Sequence, residues 1–127
     1  MKPTVLNVWD SREVQAELIR IDVHPIGVQI MALKAVHRLV KFEAVDPKTG
    51  NIVKQEMLSS GGDVAVAGTV GKFEEKKTDM IIMGTLAQYI RLVRKLKKQS
   101  YGDCLEIAKD IEELLFKGFN IEGAAVW

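Results

Sequence analysis

Thr78-Asp79-Met80-Ile81-Ile82-Met83-Gly84-Thr85-Leu86 decides the architecture of this chain. Four unbroken apolar residues, Met80 to Met83, suit a strand buried on both faces. Gly84 ends the run, and Thr85 can cap a helix through its hydroxyl. That helix is expected from Leu86 to Gln99, because Leu86, Tyr89, Ile90, Val93 and Leu96 fall on one stripe. A strand delivered into a helix by a glycine is an α/β signature, and the run is expected to be the central strand.

Working outward, Asp63 to Ala67 reads as a second strand, and the glycine-containing, charged stretch Gly68 to Lys77 as a loop between the two. Asn51 to Ser59 predicts a helix capped by Asn51 and stopped by Gly61-Gly62, after a turn at Asp46 to Gly50. Val40, Phe42 and Ala44 alternate with Lys41 and Glu43, as in a strand wet on one face. Upstream, Val14, Leu18 and Ile21 have helical spacing behind an Asp10-Ser11 cap. Ile26 to about His37 forms another stripe, and Thr4 to Trp9 is a β-favouring run. Downstream, Ser100-Tyr101-Gly102 leads into a last helix from about Asp103 to Lys117. The expected fold is mixed α/β (α+β), with one sheet of about four strands packed by four to five helices in the order β-α-α-β-α-β-β-α-α. It forms a single domain over residues 1–127. The tail 119–127 is undetermined, although Ile121, Val126 and Trp127 are apolar enough to dock, for instance on a neighbouring chain.

Composition narrows the function classes. Of 127 residues 47% are hydrophobic and 28% charged, and 18 basic against 17 acidic side chains leave a net charge of +1. That balance supplies no global field for nucleic acid or a membrane surface. The local basic run Arg91 to Lys98 faces a following helix bearing Glu106, Asp110, Glu112 and Glu113, which can neutralise it. No apolar run is long enough to span a bilayer, and Met1-Lys2-Pro3-Thr4 lacks a secretory signal's apolar core, so a cytoplasmic location is expected. The lone Cys104 reads as an inert thiol, and His24 and His37 have no partners at metal-ligand spacing, so neither a metal nor a cofactor is expected. No P-loop and no nucleophile elbow is present.

Two loops can carry binding chemistry. Where Gly84 precedes Thr85 and Gln88, free N–H groups and the helix dipole would favour an anion, with Asp79 on the same strand. The plain alternative, a tight turn and a cap, weighs more. At the other loop, Lys54, Gln55 and Glu56 run into Gly61, Gly62 and Asp63, so that Lys54, Glu56 and the loop backbone could converge on a small polar ligand. Against this stands a solvated helix face with a glycine C-cap. A binding role predicts that the two loops lie side by side at one end of the sheet.

Ile52-Val53-Lys54-Gln55-Glu56-Met57-Leu58-Ser59-Ser60-Gly61-Gly62-Asp63-Val64-Ala65-Val66 and Lys77-Thr78-Asp79-Met80-Ile81-Ile82-Met83-Gly84-Thr85-Leu86-Ala87-Gln88 resemble the N-terminal extension that precedes the catalytic barrel in dihydropteroate synthases of some anaerobic and thermophilic bacteria. The likeness runs from about Arg12 to Leu115. That family's (β/α)₈ barrel needs about 200 residues or more, beyond this chain's reach. Leu6-Asn7-Val8-Trp9-Asp10-Ser11 lacks the Thr-Pro and Phe of the family's Asn-x-Thr-Pro-Asp-Ser-Phe loop. Gly61-Gly62-Asp63 lacks the Arg and Pro of its Gly-Gly-Glu-Ser-Thr-Arg-Pro segment, so no catalytic residue carries over. The resemblance implies an accessory domain of pterin and folate (one-carbon) metabolism, non-catalytic or binding a pterin-like or anionic small molecule. Two other readings stand beside it. One is a homo-oligomeric or partner-binding interaction module, and the other is a small enzyme using Lys54, Glu56 and Asp63 or Asp79 as acid–base groups.

Overall fold

A computed structural model describes residues 1–67 and 76–126. In chain order its elements are α1 (Ser11–Arg20), α2 (Pro25–Ala35), β1 (His37–Val45), α3 (Pro47–Ser59), β2 (Asp63–Val66), β3 (Thr78–Thr85), α4 (Leu86–Leu96) and α5 (Cys104–Leu115). The mixed α/β class and the order of elements agree with expectation except at the start. Thr4 to Trp9 is not a strand, and the sheet of the described residues has three strands rather than four. β-propensity expresses packing against neighbouring strands, and this run has none; Val5 is 94% and Trp9 68% exposed, and the run meets the body through Val8 and through Arg38, which stacks over the Trp9 ring and donates to its carbonyl oxygen. The expected loop Gly68 to Lys77 lies mostly outside the described residues.

β3 is central, in the order β1-β3-β2, and both pairings are antiparallel. Its flanking contacts place Val64 beside Ile82 and Val40 on the other side of the same residue. Met80, Ile82, Val40 and Val64 point into one core with Val53 and Met57 of α3, Tyr89, Ile90 and Val93 of α4, and Ile107 and Ile111 of α5. The opposite face is open. Ile81 and Met83 are only half-buried there and Leu39 is 65% exposed, which corrects the expectation of a strand buried on both faces. α3, α4 and α5 pack on the inner side of the antiparallel sheet, which leaves the outer side more open.

Local chemistry moves the boundaries. α3 begins at Pro47, not Asn51, because Asp46 accepts from Thr49 N and Pro47 occupies the first turn, where its missing N–H costs nothing. The stretch expected to be a turn is therefore helix. α2 stops at Ala35, and His37 already belongs to β1. Asp10, rather than Ser11, caps α1 in a reciprocal capping box with Glu13. A second, smaller cluster of Val14, Ala32 and Val36 ties the α1–α2 hairpin to the body.

Each edge of the sheet carries a feature that disfavours further strands. In β1 the register shifts between Phe42 and Val45, where Ala44 takes φ 54° and donates its N–H to Asp79 Oδ1 at 3.0 Å. A bulge of this kind twists an edge out of pairing geometry. β2 is four residues long, and the Lys54 ammonium donates to the Val64 carbonyl oxygen at 2.8 Å.

Candidate functional site

The two glycine loops do lie side by side. Asp63, which follows Gly61-Gly62, pairs with Met83, which precedes Gly84-Thr85. Gln88 links them: its Oε1 accepts from Thr85 N at 2.8 Å, its backbone N–H donates to Thr85 Oγ1 at 3.2 Å, and its Nε2 reaches the Gly61 turn.

At α3's end, Gly62 N donates to Met57 O and Gly61 N to Leu58 O, with Gly61 at φ 96°. That is a Schellman C-cap. A Cβ on Gly62 would stand 2.7 Å from both Met57 Cε and Met83 O. One on Gly84 would collide with Met57 Cε and lie 2.9 Å from Gln88 Oε1. The space freed by these glycines is therefore filled by Met57 and Gln88. Thr85 caps α4, the plain alternative weighed at Gly84, and the candidate anion cradle there is occupied by the protein's own side chains.

Of the remaining candidates, Lys54 and Asp63 come together. Lys54 Nζ is 3.7 Å from Asp63 Oδ1, with the two side chains 37% and 55% exposed, and Asp63 Oδ1 also accepts from Val64 N at 2.7 Å. Gln55 is exposed on the outer surface of α3. Glu56 is half-buried and looks the other way, toward α5. Its charge, after burial and Asp103, contributes to pushing the Cys104 thiol up. Lys54 and Glu56, two positions apart on a helix, point about 160° from each other and do not converge. Asp79 lies at the far end of β3, about 13 Å along the strand from Met83, where it holds the Ala44 bulge. The carboxylates Glu56, Asp63 and Asp79 thus occupy three separate places. No group of three His, Cys, Asp or Glu that could hold a metal occurs among the described residues.

Sequence reading missed two cationic anchors. Lys95 donates to Ser59 Oγ at 2.7 Å and Ser60 Oγ at 3.0 Å, so a cation sits at the negative end of α3. Arg94 Nη2 donates to the carbonyl oxygens of Ile121 and Ala124 at 2.6 and 2.7 Å. This ties the tail to its own α4, and Ile121 is buried. Only the pairing of the basic run with α5 was foreseeable; Lys97 bridges Glu112 and Glu122. His24 caps α2 through Nδ1. No helix of the described residues is long and apolar enough to cross a membrane.

The arrangement defines a small two-layer α/β module whose polar end is built from caps and ion pairs. No protein-family model matches the chain, and no solved structure matches it. Among curated proteins it is similar to a probable bifunctional folylpolyglutamate synthase/dihydropteroate synthase of Halobacterium salinarum, 39% identical over 106 residues, which is 84% of this chain and 12% of that protein. A protein of the same description from Haloferax volcanii is 34% identical over 84 residues, 66% of this chain and 10% of the relative. The chain spans about a tenth of the length of these curated relatives.

Proposed function

We propose that this chain is a non-catalytic accessory domain of folate metabolism, acting beside enzymes of the kind its relatives combine in one polypeptide. One observation carries the reading: a stretch covering 84% of this chain corresponds to only 12% of a bifunctional synthase, so most of that relative's length lies outside the likeness. The dispersed carboxylates support it, because general acid–base work needs groups converging on one reacting atom. Asp63 is tied to Lys54 and Asp79 to Ala44.

A chimera tests this. Replacing the matching stretch of the Halobacterium salinarum protein with this chain should keep both synthase activities near their starting values, whereas deleting the stretch should lower at least one. The isolated chain should show neither activity. Turnover by the isolated chain, or a deletion without effect, would overturn the reading.

The open outer face of the sheet favours a second reading, an interaction module. Leu39 is 65% exposed beside the half-buried Ile81 and Met83, while a bulge in β1 and the Lys54 bond to β2 disfavour pairing along the edges. On that reading a partner protein or a second copy packs on the face, not along an edge. Leu39→Glu should then abolish self-association or partner binding with little effect on stability, read by analytical ultracentrifugation.

A further inference from the structure

We propose that a groove between α1, α2 and the C-terminal tail binds an uncharged, planar heterocycle bearing hydrogen-bonding edges. The proposal rests on the geometry of this groove and is independent of the folate reading above. The groove has a volume of about 550 Å³, within the range of about 300–1,000 Å³ that small-molecule sites occupy.

Its wall chemistry decides the ligand class. On a chain in which more than a quarter of the residues are charged, no charged side chain among the described residues lines this groove. A phosphate or carboxylate would lose its hydration there with no cation to replace it. The polar side chains that line it among the described residues are neutral: the Ser11 hydroxyl and the carboxamides of Gln15, Gln29 and Asn120. A carboxamide offers a donor and an acceptor side by side, which matches the N–H and C=O edge of a lactam or amidine-like ring. Asn120 Oδ1 is already engaged by Gly123 N at 3.2 Å, so its amide nitrogen is what it presents.

The apolar walls suit a flat ring. Phe119 is 43% exposed and lines the groove, and its ring is braced by buried Phe116, with centroids 5.8 Å apart and planes tilted by 41°. Ile30 and Leu33 of α2 are the half-buried apolar groups opposite. The tail forming the far wall is fixed before any ligand arrives. Arg94 holds the Ile121 and Ala124 carbonyls, and Lys97 holds Glu122. Preorganisation of this kind spares a ligand the entropy of ordering its site.

The test is ¹⁵N chemical-shift titration of the full chain with pterin, guanine and nicotinamide as neutral probes, and with para-aminobenzoate and inorganic phosphate as charged ones. At least one neutral probe should shift the amides of residues 11, 15, 29 and 119–125 in a saturable way, and the charged probes should not. Gln29→Leu, at an exposed position, should weaken that binding roughly tenfold, the worth of one well-made hydrogen bond. Ala125→Trp should block the groove and abolish the shifts while leaving the far-UV spectrum unchanged. No saturable shift with any neutral probe would overturn the proposal. So would shifts centred on Gly61, Gly84 and Gln88, or tighter binding of the charged probes.

Discussion

The Tyr89 hydroxyl lies 2.8 Å from the carbonyl oxygen of Ile82 and the same distance from that of Arg38, so one side chain of α4 spans the inner strand β3 and its neighbour β1. The ring is wholly buried in the core. Tyr89→Phe keeps that packing and removes the donor, stranding a buried carbonyl at the price of about 1–3 kcal/mol. Urea unfolding should show the loss as a lowered midpoint with an unchanged slope.

Two of the raised pKa values bear most directly on alkaline stability. Burial lifts the Tyr89 phenol well above its ordinary value of 10.0, and the hydrogen bond to Glu112, followed by Glu122, lifts the Lys97 ammonium above 10.5. In both cases the folded state holds the proton more tightly than the unfolded one. The stabilisation from these two groups is complete below pH about 10 and is lost as pH rises beyond it. Chemical denaturation from pH 8 to 11 should show a decline that is shallower in Tyr89→Phe. Lys97→Met should flatten it less, since its partly exposed ion pairs contribute under about 1 kcal/mol.

Gly84→Ala should destabilise the protein by about 1–3 kcal/mol through the collision with Met57 and Gln88. The double variant Gly84→Ala/Met57→Ala should recover part of that cost, because the new methyl enters space the methionine vacates. Thermal melts of the four proteins in the cycle measure the coupling. Strict additivity would show that the strain lies in the backbone and not in that contact.

How far the fold could be read from sequence depends on whether the signal was local. Helices with a stripe and a cap, such as α4 behind Thr85, were legible because both determinants lie within a few residues. So was β3, whose apolar run needs no partner to be recognised. Thr4 to Trp9 misled because a strand requires a neighbour, and neighbours are set by the tertiary arrangement. Pro47 misled because a Pro-containing stretch reads as a turn until Asp46 is seen capping it. At the candidate site the adjacency of the two glycine loops was foreseeable from the order of elements. That Met57 would fill the gap was not, since it depends on which face of α3 meets the end of β3.

Ala44 pays a backbone penalty at φ 54°, which the hydrogen bond from its N–H to Asp79 holds in place. Ala44→Gly should therefore raise stability by about 0.5–1 kcal/mol, because glycine adopts this conformation without a Cβ clash. Asp79→Ala should lower it by about 1–2 kcal/mol by releasing the bulge. If the bulge protects the edge, Asp79→Ala should also increase aggregation on prolonged incubation, followed by light scattering.

Arg94→Met tests whether the C-terminal tail belongs to the folded body. The guanidinium makes two charge-assisted bonds to carbonyls of a tail that is also held by the burial of Ile121, the packing of Ala124 and Val126 on the core, the Phe116–Phe119 contact and the Lys97–Glu122 pair. Methionine preserves the aliphatic stem that packs on α4 and removes both donors, so the expected cost is about 2–4 kcal/mol if the tail stays docked. If it undocks, the global cost is smaller, because the tail opens as a local unit. Hydrogen exchange separates the two cases. Residues 119–126 should lose protection in the variant while α4 and β3 keep theirs. Unchanged protection across the tail would mean that apolar docking, and not the arginine, fixes the wall of the groove.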